Sequence, residues 1–322
     1  MQRLTVFGLA LALTAAVAVP QARADDYPSR PIRLIIGFPP GSAADITARL
    51  VGNAMSQTLG QQVVVEARPG AGSSLAGEFV ARSPADGYTL YMGTTSNVTN
   101  AAVQTNLRFD FVKDFAPIVP LTGLPLILAV HPSVGASSVQ QLIALAKSKP
   151  GELSYASVGP GTVGHLALEL VSVRTGIKLI HVPYQGSPPG VADLVAGRVS
   201  MTLGVASTVM PHVEAGRLKA LAVGSAKRVP SAPNVPTLSE SVLPDFDCDV
   251  WFSLVAPAGT PRPVIDKLAA AANAALKLQD VSTKLRASGF EPLGGSPDKF
   301  EKFIAREMVK WADAAKAAGM KK

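Results

Sequence analysis

The chain has 322 residues, of which 48% are hydrophobic and 16% are charged. This apolar fraction is typical of a protein with a sizeable buried core and excludes an intrinsically disordered chain. The sequence contains one cysteine, Cys248, which excludes an intramolecular disulfide and a zinc or iron–sulfur site built from several cysteines. The formal net charge is +7, but no run of lysine and arginine concentrates it, so the composition does not predict a nucleic-acid-binding surface.

The first 24 residues have the order of a secretory signal peptide. A short basic start with Arg3 precedes an almost unbroken apolar run at residues 4–19, and Ala22-Arg23-Ala24 follows as a cleavage motif. The apolar run is shorter than the roughly 20 residues that span a membrane, so an uncleaved membrane anchor is the less favoured alternative. We therefore expect cleavage after Ala24 and a periplasmic mature protein.

Strands and helices alternate along the first part of the mature chain. Short β-branched apolar runs predict strands at residues 31–38, 62–66 and 88–92, and helical periodicity predicts helices at residues 44–59 and 74–82. This β-α-β-α-β order indicates parallel strands with helices covering the sheet. The apolar stretch at residues 118–130 predicts one or two further strands, broken by Gly123 and Pro125.

A second set of alternating elements follows. Strands are predicted at residues 153–157, 179–182, 200–204 and 219–223, and helices at residues 139–147, 162–175, 190–196 and 207–215. Residues 229–249 lack periodicity and are predicted to form a connection. A strand at residues 251–257 and helices at residues 263–276, 279–288 and 297–317 complete the chain. This order predicts two α/β lobes with a cleft between them, one from residues 25–126 and 249–322 and one from residues 127–248.

Four loops that follow predicted strands are suited to binding an anion. In open α/β sheets, ligands bind at the carboxyl ends of the strands, where helix N-termini expose backbone N–H groups. Glycine allows the backbone to approach closely, and serine and threonine add hydroxyl donors. One such loop alone is better explained by turn and helix-cap chemistry, but four of them favour an oxyanion ligand. The loops are residues 38–45, 93–97, 157–165 and 184–190.

Motifs of enzymes and nucleotide-binding proteins are incomplete or missing in the sequence. Gly159, Gly161 and Gly164 match the glycine pattern of a dinucleotide-binding turn, but residues 175–192 contain no acid to hold the ribose. The sequence has no G-x-S-x-G elbow, no P-loop and no H-E-x-x-H motif, and its four histidines lack metal-ligand spacing. We therefore expect no cofactor, no metal ion and no catalytic residue. For His165, ligand contact and helix packing are equally favoured.

Segments spread in order along the mature chain form a recognisable set. They are YPSRPIR at residues 27–33, FPPGSAADI at 38–46, EARPGAG at 66–72, DGYTL at 86–90, KDFAPI at 113–118, LSYAS at 153–157, HVPYQG at 181–186 and PAGTP at 257–261. This set resembles the extracytoplasmic solute receptors of the tripartite tricarboxylate transporter family, often called Bug-type receptors. The resemblance implies a type II periplasmic-binding-protein fold, in which two α/β lobes joined by a hinge close on a small organic acid.

The resemblance also implies which residues contact the ligand. Backbone N–H groups and bridging water of the first-lobe loop would bind one carboxylate, with hydroxyl donors nearby. At the start of a helix in the second lobe, the Thr162 hydroxyl is expected to donate to the ligand. The implied residues are Phe38, Pro39, Gly41, Ser42, Thr94, Thr95 and Ser96 in the first lobe and Ser157, Gly161, Thr162, His165, Tyr184, Gly186, Gly204 and Ala206 in the second.

Two positions depart from the family pattern. Gly41 is followed by Ser42, where the family usually has a second glycine. Many members carry an aspartate in a later strand, where this chain has the sequence LGVAS at residues 203–207. Asp45 is the nearest acid to the loops, and the helix dipole already favours its charge at that position. An amino-acid ligand is therefore disfavoured, because its ammonium group would lack a partner in a closed cleft.

The sequence thus predicts a non-catalytic receptor that binds a small di-, tri- or aromatic carboxylate and delivers it to the membrane subunits of a transporter. The protein is expected to be a monomer that does not bind nucleic acid. Two alternatives remain open at this stage. One is a sensory module that presents its closed form to a membrane kinase, and the other is an exported enzyme that acts on organic acids.

Overall fold

A computed structural model of the chain describes residues 27–229 and 232–320. The predicted signal peptide and its cleavage after Ala24 lie outside the described residues. Within the described ranges, no helix combines the length and the apolar character that crossing a membrane requires.

Eleven strands and eleven α-helices alternate along the described chain. The strands are β1 (Ile32–Ile36), β2 (Val63–Ala67), β3 (Thr89–Thr94), β4 (Phe115–Leu124), β5 (Leu126–Val130), β6 (Ser154–Ser157), β7 (Ile180–Pro183), β8 (Met201–Val205), β9 (Lys219–Val223), β10 (Val250–Pro257) and β11 (Glu291–Pro292). The helices are α1 (Ala43–Leu59), α2 (Ser74–Ala81), α3 (Thr95–Val103), α4 (Val139–Ser148), α5 (Val163–Thr175), α6 (Ser187–Val195), α7 (Ala206–Glu214), α8 (Leu238–Ser241), α9 (Arg262–Lys277), α10 (Gln279–Ala287) and α11 (Pro297–Ala317).

The strands form two separate sheets. The first sheet has the order β11-β4-β10-β3-β1-β2, and the second has the order β7-β6-β8-β5-β9. The predicted parallel pairing is confirmed where β1 lies between β2 and β3, whereas β10 pairs antiparallel with both β3 and β4. In the second sheet, β6 is parallel to β7 and β8, and β5 is antiparallel to β8 and β9. Each sheet with its helices makes one α/β lobe.

The chain passes between the two sheets twice. It leaves the first sheet at Pro125, between β4 and β5, and returns between β9 and β10. We therefore propose that the first lobe consists of residues 25–126 and 249–322, and the second of residues 127–248, as the sequence predicts. Cys248 lies at the second passage, where it is 0% exposed, and burial raises the pKa of its thiol well above the ordinary value.

The C-terminal helix α11 packs into the core of the first lobe and stabilises it. Helix α11 packs against α3 and β4, and Trp311 in this helix is 0% exposed. The indole nitrogens of Trp251 and Trp311 both donate to Glu307 Oε2 at 3.1 Å, so the buried carboxylate has two partners from two elements. Phe300 packs edge-on against Trp251 with ring centroids 5.9 Å apart. The last helix of the chain therefore completes a core that begins at β1.

Some elements differ from the sequence prediction. Residues 93–97 do not form a loop, because β3 runs to Thr94 and α3 begins at Thr95. Helix α6 begins at Ser187, three residues earlier than expected, since its prolines lie in the first turn, where backbone N–H groups need no intrahelical acceptor. The connection at residues 229–249 contains the short helix α8, capped by Thr237, and the two-residue strand β11 was not predicted.

Candidate ligand-binding site

A cavity of about 690 Å³ lies between the two lobes. None of the described residues that line it is charged, and most are apolar. The lining residues are Phe38, Ser42, Ala43, Ala44, Thr94, Ser96, Leu126, Ala156, Ser157, Val158, Thr162, Val163, Gly164, Gly186, Ser187, Gly190, Val191, Thr202, Leu203, Gly204, Val205, Val250 and Phe252.

Several helices begin at the wall of this cavity. The first residues or N-caps of α1, α3, α5, α6 and α7 are all among the lining residues. The first backbone N–H groups of a helix have no intrahelical acceptor, and the helix dipole places a partial positive charge there. The cavity is therefore electropositive without containing a cationic side chain, an arrangement that favours an anion.

The loop between β1 and α1 is held by its own side chains. Ser42 is the N-cap of α1, and its Oγ accepts from the backbone N–H of Asp45 at 3.3 Å. Gly41 has a φ of +78°, and its N–H donates to Asp45 Oδ2 at 3.0 Å. Arg49 Nε donates to Asp45 Oδ1 at 2.9 Å, so the carboxylate is neutralised within its own helix. Asp45 therefore takes no part in the cavity wall.

Thr94 presents a hydroxyl hydrogen that has no acceptor among the described residues. The residue is 1% exposed and lines the cavity at the N-terminus of α3. Its Oγ1 faces the backbone N–H of Asn97 in a capping box, but among the described residues no acceptor receives its hydrogen. Its backbone N–H donates to Asn97 Oδ1 at 2.9 Å, which fixes the start of α3. A buried hydroxyl hydrogen without an acceptor is costly, so Thr94 marks a place where a ligand atom is expected.

The hydroxyl groups of the second lobe are already engaged. Thr162 donates to the carbonyl of Gly159 at 2.7 Å, and Thr202 donates to the carbonyl of Ala156 at 2.9 Å. Ser157 Oγ lies 2.6 Å from Nε2 of His181. The Thr162 hydroxyl therefore has a different acceptor from the expected ligand, because its hydrogen closes the turn before α5.

His165 belongs to a stack of aromatic rings behind the cavity wall. Its Nδ1 accepts from the backbone N–H of Gly161 at 3.0 Å, and its ring lies 4.1 Å from that of His181. His181 in turn stacks on Tyr155 at 5.0 Å. Burial, with a smaller contribution from His181, lowers the pKa of His165 to about 4. His165 is therefore neutral and supports the loop, and it does not line the cavity.

The structure brings together about half of the residues that the sequence proposed. The ones that line the cavity are Phe38, Ser42, Thr94, Ser96, Ser157, Thr162, Gly186 and Gly204. The others are close to the wall but face different partners. Gly41 and His165 hold their own loops, as described, and the remaining ones are Pro39, Thr95, Gly161, Tyr184 and Ala206.

Each of these remaining residues has an alternative contact. Thr95 Oγ1 accepts from the backbone N–H of Trp251 at 2.8 Å, which joins α3 to β10. The Tyr184 hydroxyl donates to Asp193 Oδ2 at 2.8 Å, and its residue lines a neighbouring cavity instead. The backbone N–H of Ala206 donates to the carbonyl of Pro125 at 3.0 Å, beside the first passage between the lobes.

Pro39 and Gly161 lie on a seam where the two lobes meet. A Cβ atom added at Gly186 would be 2.7 Å from Cδ of Pro39, and one added at Gly161 would be 2.3 Å from Oδ1 of Asn100. Gln104 Nε2 donates across the same seam to the carbonyl of Pro160 at 3.3 Å. The glycines therefore allow a close approach, and the cavity is closed on this side.

Sequence reasoning missed the apolar part of the wall. Val250 and Phe252 come from β10, and Leu126 from the start of β5, so all three lie at the passages between the lobes. Ala43 and Ala44 could have been found, because they occupy the first turn of a predicted helix. The apolar residues carry no such signal, since buried strands are apolar whether or not they face a ligand. Within residues 27–229 and 232–320, no group of three metal-ligating side chains occurs.

Comparison with known proteins places this architecture in one family. A family model described as "Tripartite tricarboxylate transporter family receptor" matches residues 47–320. The chain belongs to this family. The match covers most of the sequence and includes both lobes, so the predicted family is confirmed.

Solved structures of other receptors resemble the whole described chain. The periplasmic binding protein BugD is 30% identical, with a TM-score of 0.87, and covers 92% of this chain and 100% of its own. The R. palustris protein Rpa4515 with adipate is 37% identical, with a TM-score of 0.87. The alignment covers 91% of this chain and 99% of Rpa4515. MatC from Rhodopseudomonas palustris with bound malate is 30% identical, with a TM-score of 0.85. The alignment covers 89% of this chain and 99% of MatC. The predicted two-lobed periplasmic-binding-protein fold is confirmed.

Proposed function

We propose that this protein is a periplasmic solute receptor that binds a small carboxylate between its lobes and delivers it to the membrane subunits of a tripartite transporter. One observation carries the proposal: helix N-termini from both lobes converge on a cavity that no charged side chain of the described residues lines. Such a wall supplies N–H donors and partial positive charge to an anion. The signal peptide cleaved after Ala24 accounts for export in this proposal.

Because no acidic side chain of the described residues lines the cavity, the charge of the ligand is restricted. An amino acid would bring an ammonium group into a cavity that offers it no carboxylate, and desolvating an unpaired charge is expensive. A tricarboxylate would bring three negative charges without any cationic side chain to balance them. A monocarboxylate or a dicarboxylate therefore fits the charge of the cavity best.

The apolar side chains favour a ligand with an apolar body. Phe38, Leu126, Val191, Val250 and Phe252 contribute ring and alkyl surface, which cannot satisfy several hydroxyl groups. The relative Rpa4515 has been seen with adipate, whose two carboxylates are joined by a plain alkyl chain. We propose that this protein binds aliphatic dicarboxylates or aromatic carboxylates in preference to hydroxylated acids such as malate.

Calorimetric titration of the exported protein tests the proposal. Adipate and benzoate are expected to bind, 2-aminoadipate to bind at least about tenfold more weakly than adipate, and citrate to bind weakest. Tighter binding of 2-aminoadipate than of adipate would show that the charge of the cavity has been misjudged. Chemical conversion of a bound acid would favour the exported enzyme instead.

The partner needs a separate experiment. The adipate-loaded protein is cross-linked to membranes of the source cells, and the protein without adipate serves as the control. Enrichment of transporter subunits in the loaded sample supports delivery to a transporter. Enrichment of a membrane kinase in their place would favour the sensory alternative.

A further inference from the structure

His181 touches a cavity residue from behind the wall. It lies on β7, and its Nε2 is 2.6 Å from Oγ of Ser157, which lines the cavity at the end of β6. The same Oγ accepts from the backbone N–H of Gly159 at 3.1 Å. A serine hydroxyl has a single hydrogen to donate. The direction of the bond between Ser157 and His181 therefore decides where that hydrogen points.

We propose that His181 is a positioning residue that, as an Nε2–H donor, turns the Ser157 hydroxyl hydrogen toward a bound carboxylate. With a proton on Nε2, Ser157 Oγ accepts from His181 and from Gly159. Its own hydrogen then has only a long contact of 3.3 Å to the Gly159 carbonyl, which already accepts from Thr162 at 2.7 Å, and it can turn to the ligand instead. With Nε2 unprotonated, the imidazole takes that hydrogen, and the serine presents lone pairs to the anion. The inference rests on the proposed function, because it assigns a role within the same cavity.

The groups that face His181 set its protonation. His165 from α5 and Tyr155 from β6 lie against its ring at 4.1 Å and 5.0 Å. Tyr155 donates to Oε1 of Glu169 at 2.6 Å, which places a carboxylate of α5 nearby. Burial lowers the pKa of His181, while the charge of Glu169 acts in the opposite direction. With its pKa near 4, His165 stays neutral around pH 6, and His181, whose Nε2 contacts Ser157, is the ring whose protonation a bound anion favours.

Proton uptake at His181 couples to ligand binding. An imidazolium carries hydrogen on both nitrogens, so its Nε2 always donates, and its positive charge attracts an anion. A bound carboxylate therefore raises the pKa of His181, and the complex binds more protons than the free protein. By linkage, the affinity for a carboxylate rises as the pH falls from 8 to 6.

Calorimetry with adipate at pH 6 and pH 8 tests the inference, with benzoate as a second probe. His181→Phe removes the donor and is expected to weaken adipate binding at least about tenfold. His181→Gln retains an N–H donor and is expected to bind within about threefold of the wild type at pH 8, without its additional pH dependence. In a Ser157→Ala background, His181→Phe should change the affinity less than about twofold, because the two residues act through one contact.

Control variants separate this role from structural support. His131→Gln changes a histidine of the same lobe whose imidazole bonds to Ser133 in its own turn, and it should bind adipate as the wild type does. Thermal unfolding checks that each variant is folded. Wild-type affinity in His181→Phe, a full loss that persists without Ser157, or an unchanged pH dependence in His181→Gln would each overturn the inference alone. If the wild type bound neither adipate nor benzoate, the proposed function would be overturned with it.

Discussion

The two walls of the cavity use their hydroxyl groups differently. In the first lobe, Thr94 is buried beside the cavity, and its hydroxyl hydrogen has no acceptor among the described residues. In the second lobe, Thr162 and Thr202 donate to carbonyls of their own lobe, and Ser157 is bonded to His181. The first wall therefore offers a side-chain donor directly. In the second wall, Thr162 and Thr202 hold the loops that expose backbone N–H groups, and Ser157 can donate only when His181 directs its hydrogen toward the ligand.

Local chain geometry explains this difference. Helix α3 follows β3 without an intervening residue, so the start of this helix needs no loop to be held in place. Between β6 and α5, the chain makes a glycine-rich turn in which Gly159 and Gly161 have φ values of +125° and +77°. Such a turn has few contacts of its own and depends on side-chain hydrogen bonds for its shape. Changes at Thr94 should thus affect binding, whereas changes at Thr162 and Thr202 should affect stability.

The strongest test places a charge at the uncommitted hydroxyl. Thr94→Asp should weaken adipate binding more than about a hundredfold, because the new carboxylate occupies the helix terminus that would otherwise bind the anion. Aspartate is also a favourable N-cap residue, so the fold should be retained. Thr94→Asn is the matched neutral control and should lose less than about tenfold. Equal affinities of the two variants in calorimetry would contradict the importance of this wall.

A pH titration of stability examines the second wall. The pKa of His165 is about 4 in the folded protein and close to 6.5 in an unfolded chain, so between these values only the unfolded state takes up the proton. The free energy of unfolding should therefore fall by about 2–3 kcal/mol as the pH drops from 6.5 to 4. His165→Asn keeps an acceptor for the Gly161 N–H and should reduce this fall in urea unfolding. An unchanged fall in His165→Asn would assign the acid sensitivity to other groups.

Thr94→Val removes the Thr94 hydroxyl without adding a charge, and it should weaken adipate binding less than Thr94→Asp does. Thr94→Val should weaken adipate binding about tenfold, yet the free protein should lose less than about 1 kcal/mol of unfolding free energy, because the lost cap of α3 is offset by removal of a buried hydroxyl hydrogen without an acceptor. Thr47→Val is the control, since the Thr47 hydroxyl bonds to that of Thr122 at 3.2 Å in the same lobe. It should lower the melting temperature and leave binding unchanged. A destabilised Thr94→Val protein with normal affinity would reverse the assignment.

The smallest expected effect on binding is at Thr162. Thr162→Val removes the hydrogen bond to the Gly159 carbonyl and should lower the free energy of unfolding by about 1 kcal/mol, with less than a threefold change in adipate affinity. The paired measurement is urea unfolding and calorimetry on one preparation. A loss of affinity as large as in Thr94→Val would show that the Thr162 hydroxyl also donates to the ligand, and the contrast between the two threonines would disappear.

Most helices and strands could be predicted from the sequence, because hydrophobic periodicity and turn residues indicate the same element boundaries along the chain. Helix α1 ends at Gly60, whose φ of +69° suits a helix C-terminus, and β1 is a compact β-branched run. Helix α3 could not be predicted, since its sequence TSNVTNAAV contains residues with low helix propensity. Its contacts with α11, which lies about 200 residues later, stabilise it instead, and such contacts leave no local signal.

For the site, the sequence located the loops but not the direction of their side chains. Glycines after strands correctly indicated the helix termini around the cavity, including the residues near Ser42 and Gly186. Whether a hydroxyl faces a ligand depends on competing acceptors within hydrogen-bond distance, and these come from the folded backbone. Thr162 and Thr94 look alike in the sequence, and only the carbonyl of Gly159 distinguishes them. His181 escaped notice for the same reason, as it acts on the wall from a neighbouring strand.

The close contact between Pro39 and Gly186 depends on Gly186 having no side chain, and this sets how readily the two lobes can close. A side chain at Gly186 would collide with the proline ring, so Gly186→Ala would favour molecules in which the lobes are parted. The apparent dissociation constant equals the intrinsic one divided by the fraction of molecules able to close. Affinity could thus be lowered by a chosen factor while the ranking of ligands stays the same. Ligand selectivity and apparent affinity are therefore separately adjustable at this contact.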